Sequence, residues 1–441
     1  MNEVKVNFEK IIPEGKTLGH FRSNPFDSAQ GKVVFAFGVL PGEEAIIDVI
    51  REKKNFIEGK AKEIIKISPD RIREKEDHFL SCSPWQIINY QKQLEYKAKI
   101  LAEVFLQAAK EKIEVKKFYE SEAQFGYRTK LEFGFMDKDG SLSLSFFERG
   151  NPFRKVAVPN CVLGSDKMNV AANEIIEKLN QNKIPLPLNI LKNLIVRESK
   201  TKNQIISILL VNSKNFPNIN WELKQSDGFI LAFSNPLSPA ALISEILFQT
   251  GIMSLEEKIL NLEICYPFDS FFQNNLPVFE KALGEIRANI VPTEKIVELY
   301  SGIGVIGLTL SDKAKNIYGV EIVENLVEFA KINRDRNSIK NYEIIAKPAE
   351  KIDDDFLAST DVLVLDPPRA GLHPKLIKKI LVSLPKKIIY LSCNPINQAR
   401  DYNLLKENYK MEKLIGFDFY PQTPHIESLM VLKSKKTLKQ I

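Results

Sequence analysis

The order of hydrophobic and polar positions changes along the chain and predicts three kinds of architecture in turn. In the first 68 residues, short apolar runs at 33–37, 45–50 and 56–67 alternate with Pro- and Gly-containing turns such as Pro41-Gly42. Runs of this length between turn residues are typical of β-strands. We therefore predict a small OB-like barrel over residues 1–68.

Residues 69–268 combine one helical pattern with several strand patterns. Apolar residues recur at helical spacing over 89–112, which predicts an amphipathic helix that we expect to pack on the C-terminal domain. Strand alternation returns over 127–135, and Asp139-Gly140 leads into a second strand at 142–147, which indicates a β-hairpin. We predict a central β-rich α+β domain.

Residues 269–441 alternate between apolar runs and helical patterns. The runs lie at 295–299, 316–321, 361–366 and 387–392. Continuous apolar strands separated by helices are typical of a parallel sheet covered on both faces. The expected fold class is thus α/β and β, with a Rossmann-like C-terminal domain.

Composition changes this picture little. Hydrophobic residues make up 44% and charged residues 27% of the chain, which excludes a fibrous or largely disordered protein. The N-terminus has charges where a signal peptide needs an apolar core, and no apolar stretch is long enough for a membrane span, so we expect a cytoplasmic protein without a membrane partner.

Charge and cysteine content also leave the function open. The net charge of +6 suits an anionic partner but does not require one. Six basic residues against three acidic ones between 51 and 66 suit either a phosphate backbone or a solvated strand edge. The four cysteines are too scattered for a disulfide framework or a compact zinc motif, so we expect no metal site.

The first candidate site follows the strand at 295–299. Tyr300 precedes the pattern G-x-G-x-x-G, whose first glycines are Gly302 and Gly304, and Glu321 ends the next strand 19 residues after Gly302. Such a turn lets a ligand approach the backbone, and an acid at this offset can bind ribose hydroxyls. A dinucleotide and S-adenosylmethionine both fit these features.

The end of the strand at 361–366 favours S-adenosylmethionine. Asp366-Pro367-Pro368-Arg369 follows it, and two consecutive prolines make a rigid loop at the carboxyl edge of the sheet. Loops of this kind are found in methyltransferases that recognise a base, whereas a hydride-transfer enzyme has no evident use for one.

Two further residues are candidates for catalysis. Cys393 follows the strand at 387–392 and is either a nucleophile at the binding edge or a small buried side chain. Glu427 lies in a Pro-rich loop before the last strand and is either a general base or a solvent-facing carboxylate. The residues alone leave both alternatives open.

Five segments, in order, resemble the RNA 5-methyluridine methyltransferase family: LYSGIGVIGL, GVEIVENLVEFAKIN, LDPPRAGL, YLSCNPINQARD and PQTPHIESLMVL. Segments at 126–135, 145–161 and 270–275 are also similar to the family, and the first 68 residues resemble a TRAM domain. The resemblance implies that Cys393 attacks uracil and that Glu427 removes a proton. It implies S-adenosylmethionine as cofactor, bound by Gln273, Tyr300, Gly302, Gly304, Glu321 and Asp366.

The resemblance also implies an RNA partner, with ribosomal RNA favoured over transfer RNA and the target base extruded from its stack. Arg128, Lys130 and Arg369 are the candidate substrate contacts, and Arg369 is equally suited to locking its own loop. We expect a monomer.

The chain departs from the family at one place. Many relatives hold a [4Fe–4S] cluster on four cysteines, whereas this chain has only Cys82 and Cys161 in the corresponding regions. Two thiolates cannot supply the four that such a cluster ordinarily needs, so we predict no iron–sulfur cluster.

Three other functions remain as alternatives. An NAD-dependent oxidoreductase would explain the glycines and Glu321 but not Cys393 or Glu427. A non-catalytic RNA-binding protein would explain the barrel alone. Cytosine methylation shares the thiol chemistry but usually has a different cysteine arrangement.

Overall fold

The computed structural model describes residues 2–21, 31–181, 187–217, 221–238 and 241–438, with the backbone alone for residues 437 and 438. The N-terminal strands are β1 (Glu3–Ile11), β2 (Thr17–Phe21), β3 (Lys32–Phe37), β4 (Glu44–Glu52) and β5 (Phe56–Lys66). They form a closed barrel in the order β1-β2-β3-β5-β4. From Glu3 to Glu9 every second residue of β1 is buried, as expected when one strand face fills a barrel core.

Two helices and a short strand follow the barrel: α1 (Phe79–Cys82), α2 (Tyr90–Ala109) and β6 (Lys117–Tyr119). The side chain of Asn89 caps α2 by accepting a hydrogen bond from the Gln91 N–H at 3.0 Å. The helix ends at Ala109, three residues before the predicted end, because Lys110 adopts a left-handed conformation with φ +58°.

The central region contains a seven-stranded sheet, a helix and a hairpin. Its elements are β7 (Lys130–Lys138), β8 (Ser141–Glu148), β9 (Asn151–Ala157), α3 (Asp166–Asn180), β10 (Leu191–Ser199), β11 (Gln204–Val211), β12 (Gly228–Phe233), β13 (Glu245–Gly251), β14 (Ser254–Ile259) and β15 (Leu262–Pro267). The sheet order is β13-β12-β11-β10-β7-β8-β9, and β14 pairs with β15. The predicted hairpin is β7–β8, although β7 starts only at Lys130 because Arg128 pairs with Gly164 instead.

The C-terminal region is an α/β layer. Its elements are α4 (Leu276–Ala288), β16 (Thr293–Leu299), α5 (Val305–Thr309), β17 (Ala314–Glu321), α6 (Glu324–Arg336), β18 (Tyr342–Ala346), α7 (Asp354–Ala358), β19 (Val362–Leu365), α8 (Pro374–Ser383), β20 (Lys387–Ser392), α9 (Pro395–Leu405), β21 (Tyr409–Phe417), β22 (Glu427–Ser434) and α10 (Lys435–Leu438). The sheet order is β18-β17-β16-β19-β20-β22-β21-β6, with β16 to β20 parallel and β22 antiparallel to β20. The predicted fold class is confirmed.

The segment from α2 to β6, residues 90–119, packs with this α/β layer. β6 extends its sheet by pairing with β21, and α2 packs against α9. Ile100, Leu101 and Phe105 of α2 share one hydrophobic core with the inner strands. The boundaries at residues 68 and 268 stay predictions. Within the described residues, no helix is long and apolar enough to cross a lipid bilayer.

Candidate active site

A cavity of about 490 Å³ lies at the carboxyl edge of the parallel strands. Its volume is within the range of small-molecule sites, about 300–1,000 Å³. We call it the cofactor cavity. Most of the residues singled out from the sequence line it, namely Gln273, Tyr300, Gly302, Glu321, Asp366, Arg369, Cys393 and Glu427.

The glycine turn forms one wall of this cavity. Gly302 and Gly304 have φ of +54° and +85°, which other residues adopt only with strain. The Gly302 N–H donates to the Glu321 carboxylate at 2.9 Å, which holds the turn against the end of β17. Gly304 is outside the lining, and a Cβ there would approach Tyr342 to 2.9 Å. Gly304 therefore contributes to the site indirectly, because its lack of a side chain lets the turn pack against Tyr342.

Glu298 is a lining residue that the sequence analysis did not single out. It lies in β16 and accepts hydrogen bonds from the Gly307 N–H at 2.9 Å and the Tyr342 hydroxyl at 3.0 Å. Burial raises its pKa to about 8, and those two hydrogen bonds oppose the shift. The sequence feature that could have identified Glu298 is the presence of an acidic residue inside the apolar run at 295–299.

The loop after β19 is fastened to the start of α9. The backbone carbonyl of Arg369 accepts hydrogen bonds from the side-chain amides of Asn394 and Asn397, at 3.0 and 2.7 Å. The Arg369 side chain remains free to line the cavity beside Cys393. Burial raises the pKa of Asp366, at the start of this loop, to about 7. The loop therefore presents the carboxyl group of Asp366 and the guanidinium of Arg369 to the cavity from a backbone that these hydrogen bonds hold in place.

Cys393 and Glu427 meet because of the antiparallel pairing of β20 with β22. Ser392 pairs with Ser428, so Cys393, which follows Ser392, and Glu427, which precedes Ser428, lie at the same edge of the sheet. Burial and the nearby Glu427 carboxyl raise the pKa of Cys393 to about 11, and Arg369 opposes this. Burial and Asp366 hold the pKa of Glu427 well above its usual range.

Glu427, predicted in a loop, is instead the buried first residue of β22, and the loop before it is attached to α2. Gln93 and Gln422 exchange two hydrogen bonds, at 2.8 and 3.0 Å. Lys97 is fully buried and forms an ion pair with Asp418 at 2.5 Å and a hydrogen bond with the Tyr420 carbonyl at 3.1 Å. The sequence analysis assigned no role to these residues, because their partners are more than 300 positions away.

A groove continues from Cys393 along the surface, and we call it the basic groove. Residues from all three regions line it, among them Glu14 of the barrel, Arg128, Lys130 and Arg149 of the central region, and Arg369, Asn394 and His425 of the α/β layer. Arg128 and Lys130 thus lie in the groove and not in the cofactor cavity. Burial and nearby cations lower the pKa of His425 to about 3, so its ring is neutral.

The basic cluster between 51 and 66 is outside both features. Among the described residues, none of its six basic side chains lines the cavity or the groove. Lys60 pairs with Glu148 at 2.7 Å, and Lys62 pairs with Glu3. These contacts favour the solvated-edge interpretation over a phosphate-binding face.

The charge of the cofactor cavity distinguishes between its candidate ligands. Among the described residues, the acidic side chains that line it are Glu298, Glu321, Asp366 and Glu427, and the one basic side chain is that of Arg369. Burial raises the pKa of Glu298, Asp366 and Glu427 and so disfavours their charged forms. A bound sulfonium or ammonium group of S-adenosylmethionine would favour the charged forms, whereas the pyrophosphate of a dinucleotide would oppose them. The cavity therefore suits the first ligand.

The cysteines do not suit an iron–sulfur cluster. Cys82 and Cys161 lie together, whereas Cys265 is in β15 and Cys393 is in the cofactor cavity. Only two thiols converge where a [4Fe–4S] cluster ordinarily takes four. We therefore assign no step to such a cluster.

Comparison with known proteins identifies the family of the chain. The model of the tRNA (uracil-5-)-methyltransferase family matches residues 89–435. Proteins named as uncharacterized RNA methyltransferases from Clostridium tetani and Lactobacillus johnsonii are 29% and 30% identical to this chain. The alignments cover 99% and 91% of this chain and 98% and 94% of those proteins.

The fold is also similar to that of a solved structure, the Pyrococcus abyssi tRNA (uracil-54, C5)-methyltransferase in complex with S-adenosyl-L-homocysteine. The TM-score is 0.74 at 23% identity, over 97% of this chain and 100% of that chain. The chain belongs to the tRNA (uracil-5-)-methyltransferase family and is an RNA methyltransferase.

Proposed function

We propose that this protein methylates carbon 5 of a uridine in structured RNA through a covalent bond between Cys393 and carbon 6 of the base. The observation that carries the proposal is the β20–β22 pairing, which brings Cys393 and Glu427 to one edge of the cofactor cavity. A nucleophile and a base beside a methyl donor are the groups that this reaction needs.

In the proposed reaction, the Cys393 thiolate adds to carbon 6, and the electron pair moves into the ring so that carbon 5 becomes nucleophilic. When bound, S-adenosylmethionine would supply the methyl group to carbon 5, and its bond to sulfur would break to leave S-adenosylhomocysteine. The Glu427 carboxylate then takes the proton from carbon 5. The bond between sulfur and carbon 6 breaks, which restores the aromatic base and the thiolate.

The surroundings of Cys393 determine how readily it becomes a thiolate. Its pKa of about 11 leaves it mostly protonated near neutral pH. Arg369 lowers this pKa, and the N-terminus of α9, which begins two residues later, also favours a negative charge. We propose that Arg369 stabilises the thiolate, in addition to the loop contacts made by its backbone.

We propose that the cofactor is held by Gln273, Tyr300, Gly302, Glu321 and Asp366, with Gly304 shaping the turn. Glu321 is at the end of β17, where an acid can bind ribose hydroxyls, and its carboxylate is already oriented by the Gly302 N–H. Gln273 is buried, and the hydroxyl of Thr129 donates to its carbonyl at 3.1 Å. This bond supports the loop before α4.

RNA binding is assigned to the basic groove. Arg128, Lys130 and Arg149 suit a phosphate backbone, and the groove meets the cofactor cavity at Cys393. A base inside a helix could not reach this point, so the target uridine would be extruded or unpaired. A TRAM-type role for the barrel, a cytoplasmic location and a monomeric state remain part of the prediction.

The choice between ribosomal and transfer RNA depends on two different observations. The barrel beside the groove supports ribosomal RNA, the class predicted from the sequence, whereas the name of the matching family supports transfer RNA. Mass mapping of methylated nucleotides in both RNA fractions from a deletion strain would distinguish them. Loss of 5-methyluridine from transfer RNA alone would overturn the ribosomal assignment.

RNA containing 5-fluorouridine tests the mechanism, because fluorine cannot leave carbon 5 as a proton does. With cofactor, the wild-type protein should form a stable adduct, seen as a mass shift of the protein. Cys393→Ala should form none, and Cys265→Ala is the matched control that should form it normally. Glu427→Gln should accumulate the adduct on ordinary uridine. An adduct with Cys393→Ala at the wild-type yield would contradict the assignment.

A further inference from the structure

Four side chains with metal-binding atoms converge between α1 and the loop after β9, away from the cofactor cavity. They are Glu76, His78, Cys82 and Cys161, and one ligand atom from each lies within 4.8 Å of all the others. We call this group the Cys2HisGlu cluster. Neither thiol is in a disulfide.

The cluster is organised before any ion binds. Glu76 Oε1 lies 3.3 Å from the Cys82 sulfur and 3.3 Å from His78 Nε2, and its other oxygen accepts a hydrogen bond from the Val162 N–H at 3.0 Å. Gln86 also donates to Glu76 at 3.0 Å. These contacts orient the carboxylate from two sides, as outer partners of metal ligands usually do.

His78 supplies a second observation that points to a ligand. Its Nε2 is buried and lies 3.3 Å from Glu76 Oε1, but within the described residues it makes no hydrogen bond of normal geometry. A buried ring nitrogen that lacks a well-formed hydrogen bond is unfavourable unless something binds it. The nitrogen faces the carboxylate and thiols of its own cluster, and a cation would satisfy it.

We propose that the Cys2HisGlu cluster binds one zinc ion in a tetrahedral site. Zinc takes thiolate, imidazole and carboxylate ligands at about 2.0–2.3 Å, so four ligand atoms within a few ångström of one another match one ion. Both thiols release a proton to solvent on binding. The proposal departs from the sequence-based prediction that the chain has no metal site.

The charges around the cluster agree with a divalent ion. Two thiolates and a carboxylate carry three negative charges, and zinc leaves one of them uncompensated. The guanidinium of Arg128 interacts electrostatically with both thiols and balances the remaining charge. A site of this composition can therefore be buried as a nearly neutral unit.

Such an ion would cross-link the end of α1, which lines the basic groove, to the segment around Cys161. Cys82 ends α1, and the backbone carbonyl of Leu80 in the same helix accepts a hydrogen bond from Arg149 at 2.7 Å. Cys161 lies in the segment whose Leu163 carbonyl accepts from the Arg128 N–H at 2.9 Å. The role of the ion is thus structural, because it fixes the two segments that position Arg128 and Arg149.

The full-length protein, produced without a polyhistidine tag, provides the test. After zinc loading and gel filtration, elemental analysis should find about one zinc per chain, and Cys161→Ser should reduce this at least about tenfold. Cys265→Ser is the matched control, because Cys265 is a buried thiol outside the cluster, and it should keep the wild-type zinc content.

Cobalt substitution gives a readout that does not depend on activity. The cobalt form of the wild-type protein should show thiolate-to-cobalt charge-transfer absorption and the intense visible bands of a tetrahedral site. Glu76→Gln, which removes no thiol, should weaken metal binding at least about tenfold. This variant provides the test if the cysteine variants fail to fold. Wild-type protein that retains no zinc, or that holds iron and sulfide instead, would overturn the proposal.

Discussion

Buried carboxyl groups are the main feature of the site at the scale of single residues. Glu427 is 3% exposed, and its pKa is well above the usual range because of burial and the charge of Asp366. In the unfolded chain its pKa is about 4.3. Folding therefore becomes less favourable as pH rises from that value through the folded-state pKa, because the folded protein must take up a proton or bury a charge.

Glu427→Gln should consequently stabilise the protein at pH 8 while it abolishes turnover. We expect a gain of about 0.5–2 kcal/mol in the free energy of unfolding, the usual range for a single stabilising substitution. Denaturant titrations at several pH values measure it, and the gain should disappear below about pH 4.

Glu343→Gln is the matched control for this prediction, because Glu343 is an exposed acid in β18. Its effect on unfolding should be small and independent of pH. A Glu427→Gln variant that is no more stable than the wild type at pH 8 would contradict the prediction, because it would show that burial of the Glu427 carboxyl does not reduce the free energy of unfolding.

At the scale of elements, α2 holds the loop that precedes Glu427 and β22. Lys97 and Asp418 form this connection, and both side chains are fully buried. Burial lowers the pKa of Lys97, whereas the pairing with Asp418 raises it. A buried ion pair is strongly dependent on both partners, since removal of one leaves an uncompensated charge.

Lys97→Met should therefore reduce the free energy of unfolding by about 3–5 kcal/mol. The double variant Lys97→Met with Asp418→Leu should recover most of that loss, because neither charge is left. Lys92→Ala, which removes an exposed ion pair with Glu95 on the same helix, should leave stability unchanged. Equal losses in the single and double variants would contradict the role of the pair.

At the scale of the whole molecule, the basic groove exists only because three regions meet. Gly15 of the barrel approaches the loop before β22 so closely that a Cβ would lie 2.7 Å from Pro424. The barrel therefore closes one side of the groove near Cys393. RNA bound along this surface would contact the barrel, the central region and the α/β layer together.

Arg149→Ala should weaken RNA binding and leave cofactor binding unchanged. Loss of one phosphate contact should reduce the slope of log K against log salt by about 0.7–0.9. Fluorescence anisotropy with labelled RNA at several salt concentrations measures this, and calorimetry with S-adenosylhomocysteine checks the cavity. Lys315→Ala, at the start of β17 and far from the groove, is the control. Equal slopes of log K against log salt for Arg149→Ala and the wild type would show that Arg149 does not contact an RNA phosphate.

The elements of the α/β layer and most of the candidate site could be predicted from local patterns in the chain. The run at 387–392 coincides with β20, and the glycine turn, Asp366 and Cys393 each follow a strand. Strand and helix periodicity is local, and the carboxyl ends of parallel strands share one edge, so these residues could be placed together in advance. The same kind of local pattern, alternation of polar and apolar residues, marks β1, a strand that the predicted runs did not include.

Contacts between residues far apart in the chain could not be predicted and depend on the complete fold. The pairing of Lys97 with Asp418, the Cys2HisGlu cluster and the basic groove all join segments that are far apart in the chain. Local patterns carry no information about such contacts, because they depend on how complete elements pack. For the same reason, two cysteines that looked scattered in the sequence lie side by side in the folded chain.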